Sequence, residues 1–100
     1  MNESAVIMTT LNILLLDMNR LAVQLSNFET RFGVKSSDFY TAMLAGELEE
    51  FDELDDYRME FVEWLALYKT WLSLDKKYDQ LLARQPVAVQ IKANLQPVYV

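Results

Sequence analysis

Between Ile7 and Phe32 the chain places an apolar residue at every step of an alternating 4-3 rhythm: Ile7, Leu11, Leu14, Met18, Leu21, Leu25, Phe28 and Phe32. A seam this long and unbroken commits the segment to an amphipathic α-helix, because only helical periodicity gathers those positions on one face. Val6, Leu15 and Ala22 widen the stripe to the breadth of a packed bundle helix. Asp17, Asn19, Arg20, Gln24, Asn27 and Arg31 lie mainly off it. Gly33 follows the last seam residue, where a left-handed residue can close the helix.

The rhythm returns in the second half of the chain. Leu54, Tyr57, Phe61, Trp64, Tyr68, Trp71, Tyr78 and Leu82 form a second seam, interrupted only by Asp75. Asp75 is either turned to solvent where the stripe drifts or a buried register-setting group. Leu65, Leu67, Leu72, Leu74 and Leu81 broaden this face. Acids near its start and Lys76, Lys77 and Arg84 near its end complement the helix dipole. Pro86 stops it.

The segment between the seams has its own signals. Ser36 or Ser37 is a good N-cap, Asp38 suits a first turn, and Phe39, Met43 and Leu44 give a short helix an apolar edge before Gly46. The expected helices therefore cover about 4–32, 37–45 and 52–84, within a helical domain over 1–85. The tail, 86–100, alternates Val87, Val89 and Ile91 with Ala88, Gln90 and Lys92, which is strand rhythm; strand, arm and short helix all stay open.

With neither cysteine nor histidine, the chain has no thiolate or imidazole for metals, nucleophiles or general bases. Catalysis would rest on carboxylates, lysine, tyrosine and hydroxyls, and nothing suggests the cleft such carboxylates need. The expectation is a protein that is not an enzyme, with no catalytic, cofactor-binding or metal-binding residue. The net charge of −6 carries no basic stripe, so nucleic acid alone is not an expected partner. The apolar run from Ala5 to Leu16 is broken by Thr9, Thr10 and Asn12 and is too short to span a membrane. No signal-peptide pattern is present, and the expected location is the cytoplasm.

Nine of the fifteen acids lie between Glu47 and Glu63, where Arg58 is the only base. In the densest part, Glu47, Glu49, Glu50, Asp52, Glu53, Asp55 and Asp56, the glycine, Gly46, stands before the acids rather than among them, and no EF-hand spacing of a calcium site fits. The run is a solvated helix start, a docking patch for a basic partner or, last, a carboxylate site for metal or catalysis. In the tail, Val87, Val89 and Ile91 are candidates for a partner-binding arm, weighed against a packed or frayed terminus. The residues Leu11, Leu14, Met18, Leu21, Leu25, Phe28, Phe61, Trp64, Tyr68 and Trp71 are expected in a core or dimer seam rather than a ligand box.

The stretch Phe28-Glu29-x-Arg31-Phe32-Gly33-Val34-x-Ser36-Ser37-x-Phe39-Tyr40, then Gly46-Glu47-Leu48, then Glu63-Trp64-x-x-Leu67-Tyr68-x-x-Trp71-Leu72, resembles a family of small, uncharacterised all-helical microbial proteins. That family reads YG-x-S-x-x-F, then G-E-L, then EW-x-x-L-Y. Some of its members resemble the antitoxins of bacterial toxin–antitoxin pairs. The likeness covers about residues 28–82 and carries no catalytic residues. Phe32 stands where the family often has Tyr, and the tail from Val87 to Val100 has no counterpart in the pattern.

Two long helices with a compact connector imply an all-α, antiparallel helical hairpin with coiled-coil-like seams. Each long helix has an apolar face wider than one neighbour covers, so a homodimer forming a four-helix bundle is expected. Functionally, the pattern points to a non-catalytic protein-interaction module, concretely an antitoxin-like partner of a co-encoded protein with a basic surface. The alternatives are a structural assembly bundle without a dedicated partner, and a carboxylate-based metal-binding protein or enzyme.

Overall fold

The computed structural model describes residues 3–83 and 86–95, and these are all-α, with no strand among them. Helix α1 (Glu3–Phe32) is followed by α2 (Ser36–Leu44), a 3-10 turn (Glu49–Phe51), α3 (Asp55–Leu82) and α4 (Val87–Leu95). At about 1.5 Å per residue, the 30-residue α1 runs roughly 45 Å. Its apolar character over Ala5–Phe32 is enough, by length and composition, to cross a membrane. Reading only Ala5–Leu16 as the apolar run understated it.

The chain divides into two compact units, one formed by Leu21–Trp71 and the other by the described parts of Met1–Arg20 and Leu72–Val100. In the second of these, Leu11, Leu14 and Met18 of α1 and Tyr78 of α3 are buried. Thr9 and Thr10 donate their hydroxyls to the carbonyls of Ala5 and Val6, which lets polar side chains sit on an apolar helix without orphaned groups. The tail forms α4 rather than a strand. Val87, Ile91 and Leu95 recur every four residues, a helical spacing that the two-residue alternation had hidden. Arg84 and the Pro97–Val100 end of the tail lie outside the described residues.

The Leu21–Trp71 unit is a hairpin of the α1 and α3 ends with α2 packed beside it. Leu25, Phe39, Phe61 and Trp64 are its buried centre, with Phe28, Phe32, Met43, Leu65, Tyr68 and Trp71 packed around them. Trp64 is the hub. It stacks at 3.8 Å on Phe39, at 5.5 Å on Phe28 and at 5.6 Å on Phe32. Its indole N–H donates to Ser36 Oγ at 2.9 Å. Arg31 and Glu60 pair at 2.7 Å across the two long helices.

Two glycines shape the connector. Gly33 has φ +70 and donates its amide to the Glu29 carbonyl at 2.8 Å, the closure expected of it. Gly46, φ +72, ends α2 in a Schellman motif: its amide reaches Met43 O, and the Glu47 amide reaches Ala42 O at 3.0 Å. The N-cap of α2 is Lys35, not Ser36 or Ser37, and it makes no side-chain cap. Ser36 is instead the first helical residue and is buried. Its amide donates to Glu29 Oε2 at 2.7 Å, so a carboxylate from the preceding helix caps α2.

Candidate functional site

The acidic run does not form one continuous helix start. After Gly46 it breaks into the 3-10 turn, with Phe51 N–H donating to Leu48 O and Leu54 N–H to Phe51 O, before α3 begins at Asp55. The turn sorts its residues by chemistry. Leu48 and Phe51 fold inward to the aromatic cluster, and Glu47, Glu49, Glu50, Asp52, Glu53 and Asp56 stay exposed. The side chain of Asp55 lies outside the described residues. Among the described residues, no three acids converge in a way that could hold a metal ion.

Between this turn and α2 lies an apolar cleft of about 570 Å³. Trp64, Phe39 and Phe61, all buried, form its floor. Its walls are Phe32, Ala42, Leu48 and Phe51, with Val34 and Tyr57 at the rim and the exposed Asp38 at the mouth. The aromatic walls meet edge to face: Phe51 lies 5.5 Å from Phe61 and 6.2 Å from Tyr57. Such contacts fix ring orientations more tightly than aliphatic packing would.

Tyr57 and Leu54 were expected to sit in the seam, yet they are 41% and 48% exposed. The reason is the cleft. Tyr57 stands on the apolar face, 6.3 Å from Phe32, but opens onto the two recesses that it lines. Leu54 precedes the helix and escapes its periodicity. Beyond Tyr57 lies a second, shallower depression of about 290 Å³, lined by Glu53, Leu54, Asp56 and Tyr57. An apolar recess and an acid-lined one therefore share the Tyr57 side chain as a wall.

Of the other seam residues, Leu11, Leu14, Met18, Leu25, Phe61 and Trp64 are buried, whereas Leu21, Phe28, Tyr68 and Trp71 are half-buried. Leu44 is 66% exposed and does not join the apolar edge of α2. In the tail, Val87 and Ile91 are exposed on α4, and the Val89 side chain lies outside the described residues.

The acidic run is legible in the sequence; the cleft beside it, walled by Leu48 and Phe51 of the same run, is not. The signal was present: Leu48, Phe51 and Leu54 punctuate the acidic run every third residue. Comparison with models of protein families, with curated proteins and with solved structures gives no match to this chain.

Proposed function

We propose that this chain is a non-catalytic protein-interaction module, and that its docking surface is the apolar cleft of the Leu21–Trp71 unit together with its acidic border. The observation that carries this reading is an open, aromatic-floored recess with exposed Asp38 at its mouth and exposed Glu49 and Glu50 on the turn that walls it. Apolar contact supplies affinity in such a surface, and border charges steer encounter and select the partner. The chemistry favours a partner with a basic surface. The resemblance to small helical microbial proteins makes an antitoxin-like role toward a co-encoded protein the concrete form of this proposal.

The test is binding of the product of the adjacent gene, co-purified with this chain. Replacing Glu49, Glu50, Asp52 and Glu53 with Gln or Asn removes charge from exposed positions and leaves the cleft walls in place. Association should slow at least severalfold, and its dependence on salt should flatten. An unchanged rate with the same salt slope would overturn the assignment of the docking surface. Failure of the two proteins to associate at all would remove the antitoxin-like form of the proposal.

A further inference from the structure

The same unit that offers an apolar cleft next to an acid-lined depression belongs to a chain that also displays the complementary shape. On α4, Val87 is 69% exposed, Ile91 54% and Leu95 58%. Their spacing of four residues puts all three on one stripe of the helix, spanning about 12 Å at 1.5 Å per residue. Lys92 is exposed beside Ile91, and α4 carries no acid. A short helix with one apolar stripe and a cation at its side has the character of segments that bind by laying that stripe into an apolar groove.

We propose that α4 of one copy docks into the apolar cleft of a second copy, beside its acid-lined depression. Ile91 and its stripe neighbours enter the recess floored by Trp64 and Phe61. Lys92 lies toward the depression between Glu53 and Asp56. The Tyr57 ring separates the two recesses and gives the ammonium an aromatic face as well as two carboxylates. The occupant is chosen by charge. Asp38 stands at the cleft mouth, exposed Glu49 and Glu50 sit on the turn that walls it, Glu53 and Asp56 line the adjoining depression, and α4 combines an uncovered apolar stripe with a positive charge. This contact is heterologous, because the two surfaces are different patches of the chain, so a pair leaves the α4 donor with a free cleft and the acceptor with a free α4. The proposal goes beyond the interaction-module reading: it names an occupant that would compete with any outside partner for the same recess.

Complementation between two damaged full-length chains tests it. Ile91→Asp spoils the stripe and leaves the cleft intact. Val34→Trp narrows the cleft mouth from a rim position and leaves α4 intact. Circular dichroism establishes that both variants keep the helical content of the parent. If Val34→Trp loses helicity, Glu53→Lys replaces it as the cleft variant. In sedimentation velocity the parent should form species larger than a monomer as concentration rises, and 0.5 M salt should weaken them severalfold. Each variant alone should remain monomeric. An equimolar mixture should recover a complex that stops at two chains, since one sound α4 and one sound cleft remain.

A parent that stays monomeric into the hundreds of micromolar overturns the proposal. So does a mixture that shows no complex. Self-association that both variants retain points instead to an isologous dimer through another face, and also overturns it. These outcomes are separate from the co-purification test. A heterologous partner that binds the cleft of a strictly monomeric chain sustains the interaction-module reading while this inference fails.

Discussion

The indole N–H of Trp64 and the hydroxyl of Ser36 meet at 2.9 Å in the buried centre of the Leu21–Trp71 unit, tying α3 to the first residue of α2 across 28 positions of sequence. Trp64 is 1% exposed and Ser36 3%, so water cannot take over either role. Ser36→Ala leaves a buried N–H donor without its acceptor, at a cost of about 1–3 kcal/mol. Thermal melting should fall by several degrees, and near-ultraviolet dichroism from Trp64 should weaken. A melting curve identical to the parent would show that this bond contributes nothing net.

Glu29 ties α1 to the same first residue of α2. Its carboxylate accepts the Ser36 amide at 2.7 Å and does the work of an N-cap residue for α2. Glu29→Ala should cost about 1 kcal/mol, in the range of cap deletions, and Glu29→Gln should cost less because a neutral acceptor remains. Amide exchange at Ser36 should speed up in both variants, and more in Ala. Equal exchange rates in all three proteins would contradict the capping role.

Gly33 stands at φ +70, and a Cβ built there meets nothing within 4 Å. The cost of substitution is therefore conformational rather than steric. Gly33→Val should destabilise by about 1–2 kcal/mol, because branched residues resist the left-handed region. Gly33→Asn should cost distinctly less, since Asn visits that region readily. Chemical denaturation that ranks Val and Asn together would show that the turn is free to relax.

The seam of α1 is not uniform, which gives a comparison between two leucines one turn apart. Leu25 is 6% exposed and belongs to the buried cluster, whereas Leu21 is half-buried. Leu25→Ala should cost about 2–5 kcal/mol and Leu21→Ala clearly less. Leu25→Asp should unfold the unit, because an unpaired buried carboxylate is a further penalty of several kcal/mol. Urea midpoints for the two alanine variants decide the order.

How much of this was legible beforehand depends on the range of the forces involved. The seams of α1 and α3 were readable because burial repeats with the helix period, and Leu11, Leu14, Met18, Leu25 and Trp64 all follow it. Both left-handed glycines stand where a helix has just ended, and Gly33 could be placed from that alone. The cap of α2 could not, because the group that supplies it sits seven residues upstream on another helix. The cleft escaped for a similar reason. Its walls come from the end of α1, α2, the 3-10 turn and α3, and a helical pattern says which face is apolar without saying that part of it stays uncovered. The tail was ambiguous because residues 87 and 91 satisfy both a period of two and a helical turn.

The Schellman closure at Gly46 has a thermodynamic consequence. It fixes the exit from α2 through two backbone hydrogen bonds, and the next bonded turn follows within a few residues. The recess beside them is thus bounded by hydrogen-bonded backbone, and a segment entering it as proposed would meet walls that are already folded. Most of the ordering cost then falls on the incoming segment. Calorimetry of such an association should show a negative heat-capacity change from apolar burial, while amide exchange in α2 slows only slightly.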